Sequence, residues 1–378
     1  VNAISTWFTL WSWRTRRALR SWVPFWALQL NNLHIVFDFN IFITVFDVDV
    51  ERGSFHRRQE VEVDNASDVI VSADGRMLYS VEDYGVVGFR ILPDGGLVRV
   101  SSKKVNGMRP HHICVDQEGK YLYTSGYHDG KLTILRLDPD GTVGSIVDEV
   151  YHKGLGSIAE RGSRAHITCS KPTRDMRFVM AADPGIDQVS IYRFTGRPGE
   201  IRLVDAIRTA RGSSPYFFTF SKDNRFLYLL FDMTNAIDVY SYTVSEDRGM
   251  PEFTKIQTVC ATGNETPGSL NAATCMTFTR DDRYVFVGNA GDNSVTLFAR
   301  DAESGLLTAE FNLPISGEYP KDIAVFPDGK HIVSVNHESG SLSFFKVDYE
   351  KKLLIMSTNE IPVSQPNCCI IVAVGEDC

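Results

Sequence analysis

The sequence predicts an all-β protein, a seven-bladed β-propeller with four-stranded antiparallel blades and a ring closed by strands from its two ends. Three observations carry that prediction. One strand–turn–strand pattern recurs through the body of the chain; a partial copy near the N-terminus lacks a strand that the C-terminus supplies; and helical periodicity is almost absent beyond the first thirty residues.

The repeat consists of an apolar strand, a polar turn and a basic residue leading into a second apolar strand. It reads Val69-Ile-Val-Ser-Ala-Asp74-Gly-Arg76-Met-Leu-Tyr79, then Ile113-Cys-Val-Asp-Gln-Glu118-Gly-Lys120-Tyr-Leu-Tyr123. It returns around Arg177, Arg225, Arg283 and Lys330, so that successive basic residues stand about 44 to 58 positions apart. Each copy continues into a third strand of alternating pattern, such as Lys131-Leu-Thr-Ile-Leu-Arg-Leu137 or Ser294-Val-Thr-Leu-Phe298. A second tight turn follows, clearest in Asp138-Pro-Asp-Gly141, and then a fourth strand. Four antiparallel strands in a unit of this length make a propeller blade.

Six copies are plain. Residues Ile43 to Gly53 match the third strand and turn of a seventh, and Gln365 to Val372 resembles its missing first strand. Pairing the termini in one blade hides sheet edges that would otherwise recruit other chains. Two stacked β-sandwiches would not require this period. The predicted organisation is one propeller domain over residues 31–378, preceded by a segment, residues 1–30, that holds all five tryptophans and four arginines. That segment has the composition of an interfacial helix, but Pro24 breaks it and no apolar run reaches spanning length, so no membrane span is expected.

A net charge of −8 argues against a nucleic-acid or anionic-membrane partner. The seven cysteines form no CxxC pair, so the sequence indicates neither a disulfide framework nor a zinc site; a reducing cytoplasm, no metal and no cofactor are expected.

In an up-and-down blade, the loops between second and third strands share one face of the disc with the entries into the first strands. Copies aligned on Val69, Ile113, Ile167, Phe218, Met276, Ile323 and Cys369 place His111, Tyr216 and Lys321 in one ring at the channel mouth and His112 with His166 in the next ring inward. Neighbouring loops add Tyr127, Asp183, Asp232, Asn289 and His337, and Arg109 and Arg164 stand at entry points. The result is a mixed-charge mouth over an apolar wall, suited to a small hydroxylated ligand, neutral or anionic.

At these residues the chain resembles the lactonase-type propeller family that includes bacterial 6-phosphogluconolactonase and fungal carboxymuconate cyclase. The resemblance spans about residues 43 to 374. It is carried by Pro110-His-His-Ile with Gly126-Tyr-His-Asp-Gly130, by Arg164-Ala-His166 with Ala182-Asp-Pro-Gly-Ile-Asp-Gln188, and by Tyr319-Pro-Lys-Asp-Ile with Val335-Asn-His-Glu-Ser339. The resemblance implies a lactone-opening site with a histidine base, arginines and a glutamate, and His166 falls on that histidine. Where the family typically reads Gly-Pro-Arg-His, this chain has Ser214-Pro-Tyr216-Phe217, and an Asn-Arg-Gly triplet is replaced by Asn289-Ala290-Gly291. Asp232 stands in for the glutamate with a shorter reach, while both arginines are missing.

Two functional readings follow. The leading one is a sugar-lactone hydrolase with His166 as base and Asp232 assisting, and with His112, Tyr127, Arg164, Asp183, Tyr216, Asn289, Lys321 and His337 contacting substrate. The alternative, motivated by the missing arginines, is a non-catalytic propeller that binds a sugar acid or docks a protein.

Overall fold

The computed structural model describes residues 33–39, 41–154, 164–263, 266–268 and 270–373. The Trp- and Arg-rich stretch of residues 1–30 lies outside them. The strands pair into seven antiparallel sheets, one per blade. Blades 1 to 6 begin with the inner strands Val69–Val71, His112–Val115, Cys169–Pro172, Pro215–Phe220, Ala273–Phe278 and Pro320–Val325.

Blade 7 closes the ring as the sequence predicts. Its inner strand is Pro366–Ala373, which pairs antiparallel with Leu33–Phe39; Phe42–Asp49 and Ser54–Glu62 complete it. In blade 6 the outer strand is broken in two, and Leu353–Met356 and Ile361–Pro362 both pair with Ser341–Asp348.

The recurrent turn has a repeated physical cause. In four blades a hydroxyl donates to an aspartate two residues on: Ser72 to Asp74, Thr173 to Asp175, Ser221 to Asp223 and Thr279 to Asp281, at 2.5 to 2.6 Å. The same carboxylate accepts the backbone N–H of the basic residue that follows, Arg76, Arg177, Arg225 or Arg283. Each turn needs one left-handed residue, taken by Gly75, Gly119, Asn224, Asp282 and Gly329, and by Met176 at φ 56°. Glycine, asparagine and aspartate reach that conformation at little cost, which is why they punctuate the repeat.

Second strands such as Phe178–Asp183 and Phe226–Phe231 are buried along their whole length. Both of their faces meet neighbouring blades, so they read as unbroken apolar runs, whereas outer strands such as Leu97–Lys104 alternate with solvent. The core is accordingly divided into seven apolar clusters, one between each pair of adjacent blades. The two that involve blade 7 place Leu33 and Phe46 against Phe326 and Phe344, and Ile43 and Val45 against Leu78 and Phe89. Each fully buried phenylalanine contributes about 1.5–3 kcal/mol.

One register differs from the alignment above. Val69, Ile113, Phe218, Met276 and Ile323 do occupy equivalent stations, paired with Ser80, Thr124, Leu229, Val287 and Ser334. In blade 3, however, the equivalent residue is Ser170, paired with Ala181, and not Ile167. Ser170 is fully buried and accepts a hydrogen bond from the Ser125 hydroxyl of blade 2, at 2.7 Å, while Ile167 packs three residues earlier into the cluster between blades 2 and 3. An apolar residue was the natural alignment anchor, but a satisfied hydroxyl fills that station instead.

Candidate functional site

The register shift lifts His166 out of the channel wall. The wall residue of blade 3 beside His112 is Cys169, and His166 sits on the entry loop above it. There it joins a pocket of about 380 Å³ built by three consecutive blades on a single face. Blade 2 contributes Arg109, His111, Tyr127 and His128; blade 3 contributes His166, Pro184 and Gly185; blade 4 contributes Ser214, Tyr216 and Asp232. Every one of these lies either at the entry into a first strand or on a loop between second and third strands.

His166 is held on three sides. Its ring stacks on Tyr127, with centroids 4.4 Å apart and planes 19° apart. Its Nδ1 lies 2.5 Å from the Tyr127 carbonyl oxygen, which only accepts, so Nδ1 carries a proton and Nε2 is the nitrogen that holds the lone pair in the neutral tautomer. Its backbone N–H donates to Asp183 Oδ1 at 2.8 Å. The third side is closed by space: a Cβ on Gly185 would stand 2.2 Å from the Arg164 carbonyl oxygen and 2.9 Å from His166 Cδ2. Only glycine fits there.

Of the remaining pocket groups, burial pushes the Tyr216 hydroxyl above its usual range, with Asp232 adding to the effect, so it stays a donor. Burial also pushes His111 down to about 4, helped by the nearby charges of Lys321 and Arg109, so its ring is neutral at pH 7. Arg109 directs Nη1 toward the Asn65 carbonyl oxygen at 3.4 Å and lies 4.0 Å from Asp83 Oδ1.

Four of the ten expected site residues, His166, Asp232, Tyr127 and Tyr216, come together here; the other six do not line the pocket. Asp183 is fully buried, accepting from the His166 and Gly185 backbone N–H groups with Oδ1 and meeting His152 Nδ1 with Oδ2 at 2.7 Å. Asn289 is likewise fully buried and donates to Thr296 Oγ1. Both side chains are engaged inside the fold. The Lys321 ammonium donates to Asn367 Oδ1 at 2.6 Å, and His337 meets the Pro366 carbonyl, both across the seam between blades 6 and 7. Arg164 is exposed, and its carbonyl rather than its guanidinium faces Gly185. His112 stays in the wall, edge-on to Phe217 at 6.5 Å, with its ring held neutral by burial and by Lys171.

His111 and His128, both placed at the mouth by the sequence but not among the ten expected site residues, also line the pocket. His111 shares the station of Tyr216 and Lys321, which was the available signal. His128 follows Tyr127 on the same loop and carries none that separates it from an ordinary solvated residue.

Several of the mouth residues join the blades to one another. The hydroxyls of Ser67, Thr168 and Thr274 each donate to a backbone carbonyl of the next blade, at His111, Tyr216 and Pro320. Asn367 donates to the Ala66 carbonyl across the seam between blades 7 and 1. Among the described residues no cluster of histidine, cysteine and carboxylate groups is arranged to hold a metal ion.

Residues 40–371 match the family described as "Lactonase, 7-bladed beta-propeller". The chain is 27% identical over 330 residues to a 6-phosphogluconolactonase of Bacillus subtilis (strain 168), covering 85% of this chain and 92% of that protein. It is 24% identical over 335 residues to a 6-phosphogluconolactonase of Formosa agariphila, covering 85% and 93%. Among solved structures, the periplasmic gluconolactonase of Pseudomonas aeruginosa superimposes with a TM-score of 0.82 at 23% identity, over 91% of this chain and all of that one.

Proposed function

The chain belongs to the lactonase family of seven-bladed β-propellers, and on that premise we propose that it hydrolyses a sugar lactone in the pocket shared by blades 2, 3 and 4. The observation that carries this reading is His166, whose Nδ1 proton is committed to the Tyr127 carbonyl and whose other nitrogen is the basic one in a pocket lined by donors.

The chemistry follows from those groups. A water molecule adds to the lactone carbonyl carbon while His166 Nε2 takes its proton. The developing oxyanion is met by the Tyr216 hydroxyl, which burial keeps protonated, and by the Arg109 guanidinium. Collapse of the tetrahedral species breaks the ring C–O bond, and the leaving alkoxide takes the proton back from the His166 imidazolium. The product is the open hydroxy acid, which releases one proton to solvent as it ionises. Asp232 accepts from substrate hydroxyls. The six cysteines that the structure describes are free thiols, which supports a cytoplasmic setting for this reaction.

The test is hydrolysis of aldonolactones by the purified protein, with His166→Ala beside it. Loss of a positioned general base predicts a fall in kcat/KM of about 10³-fold. Wild-type rates equal to the spontaneous background would refute the enzymatic reading and leave a ligand-binding propeller.

A further inference from the structure

We propose that the lactone taken by this pocket is unphosphorylated, a neutral polyhydroxylated ring and not a sugar phosphate; this rests on the lactonase reading above. Among the described residues the lining carries one guanidinium, Arg109, and one carboxylate, Asp232, and no other arginine, lysine, aspartate or glutamate. Their charges cancel. A phosphate monoester would bring about 1.5 to 2 negative charges at neutral pH, and it would have to shed water beside Asp232.

Nor does the surrounding structure supply what phosphate sites use. Arg109 is drawn backward, toward the Asn65 carbonyl and Asp83, so part of its charge is already answered. The Lys321 ammonium donates to Asn367 at the seam between blades 6 and 7. His111 is a neutral ring at pH 7, depressed by burial and by those same two cations. Phosphate is commonly met at a helix N-terminus, and among the described residues there is no helix. Among the described residues the pocket instead offers uncharged donors and acceptors, Tyr216, Ser214 and the His111 ring, around a single carboxylate. That combination pairs with hydroxyl groups, each of which both donates and accepts.

The experiment compares glucono-δ-lactone with its 6-phosphate, and in parallel the thermal stabilisation of the protein by gluconate and by 6-phosphogluconate. The expected kcat/KM ratio favours the unphosphorylated lactone by about 100-fold, the scale of a like-charge juxtaposition. Asp232→Asn should narrow that ratio by speeding the phosphorylated substrate relative to the other. Equal or faster turnover of the phosphorylated lactone by the wild type overturns the proposal and leaves the lactonase reading standing. Background rates with both lactones remove the lactonase reading, and the binding arm then decides. Stabilisation by gluconate alone upholds the charge discrimination; equal or greater stabilisation by 6-phosphogluconate, or none by either acid, overturns it.

Discussion

Blades 3 and 5 end their second strands with residues of almost the same shape, Asp183 and Asn289, and the two serve different ends. Asn289 sits in an amide ladder that closes its own loop: it donates to Thr296, Thr296 donates to Asn312, and Asn271 accepts the backbone N–H groups of Gly291 and Asp292. Asp183 reaches out of its strand to the His166 backbone, to Gly185 and to His152. An amide, which both donates and accepts, is spent on internal closure. A carboxylate, which only accepts, gathers three donors and so fixes a histidine at the pocket. Both side chains find partners inside the fold, and in blade 3 one of those partners is the backbone of a histidine that lines the pocket. The arc of blades 2 to 4 holds the pocket, while the equivalent loops of blades 5 and 6 are tied down by their own side chains.

This contrast is open to direct attack. Asp183→Ala leaves three buried donors without their carboxylate and should cost about 4 kcal/mol, comparable to breaking a buried pair, as read by urea denaturation. Asp183→Asn keeps one acceptor, so it should lose less stability while still lowering kcat more than it raises KM. A loss confined to stability would make Asp183 a structural residue like Asn289.

Gly185→Ala is the next largest expected effect. Its Cβ overlaps the Arg164 carbonyl and presses on His166, and a displacement near 1 Å at a reacting group costs about 100-fold in kcat. A variant with unchanged kcat would show that the His166 position is tolerant. Asn289→Ala, the counterpart in blade 5, should cost about 1–2 kcal/mol in stability and leave kcat/KM as it was.

A pH-dependent effect separates the pocket from the channel wall beneath it. In the wall, burial pushes Asp68 up to about 7 from its ordinary 3.8, opposed by the Ile113 N–H that it accepts. Between those two values the unfolded chain has released a proton that the folded protein keeps, so the contribution of Asp68, full below pH 4, is lost as pH rises to 7. His111 at the mouth runs the other way: its depressed value means that stability is lost as pH falls from about 6.5 to 4. Asp68→Asn should therefore raise denaturation midpoints more at pH 8 than at pH 5. Parallel profiles for the two proteins would contradict the assignment.

The propeller was legible because its determinants are local and repeated. Each turn signature such as Ser72-x-Asp74-x-Arg76 is satisfied within five residues, and each second strand of blades 1 to 6 announces itself by a largely apolar run. Even the closure of blade 7 was visible, since a strand missing at one end and spare at the other leaves few alternatives. His166, Tyr127, Tyr216 and Asp232 share one pocket because loop position in a meander dictates the face on which a residue emerges.

What the chain alone did not decide was whether a polar residue on that face looks outward to a ligand or inward to its own backbone. Asp183 and Asn289 carry ligand-binding chemistry but find nearer partners, and the offset at Ser170 depends on a hydroxyl across the blade interface at Ser125. Local pattern determines strands, turns and faces because those rest on interactions within a few residues. The destination of a buried hydrogen bond is settled between blades, by whichever donor or acceptor from a distant part of the chain arrives within 3 Å.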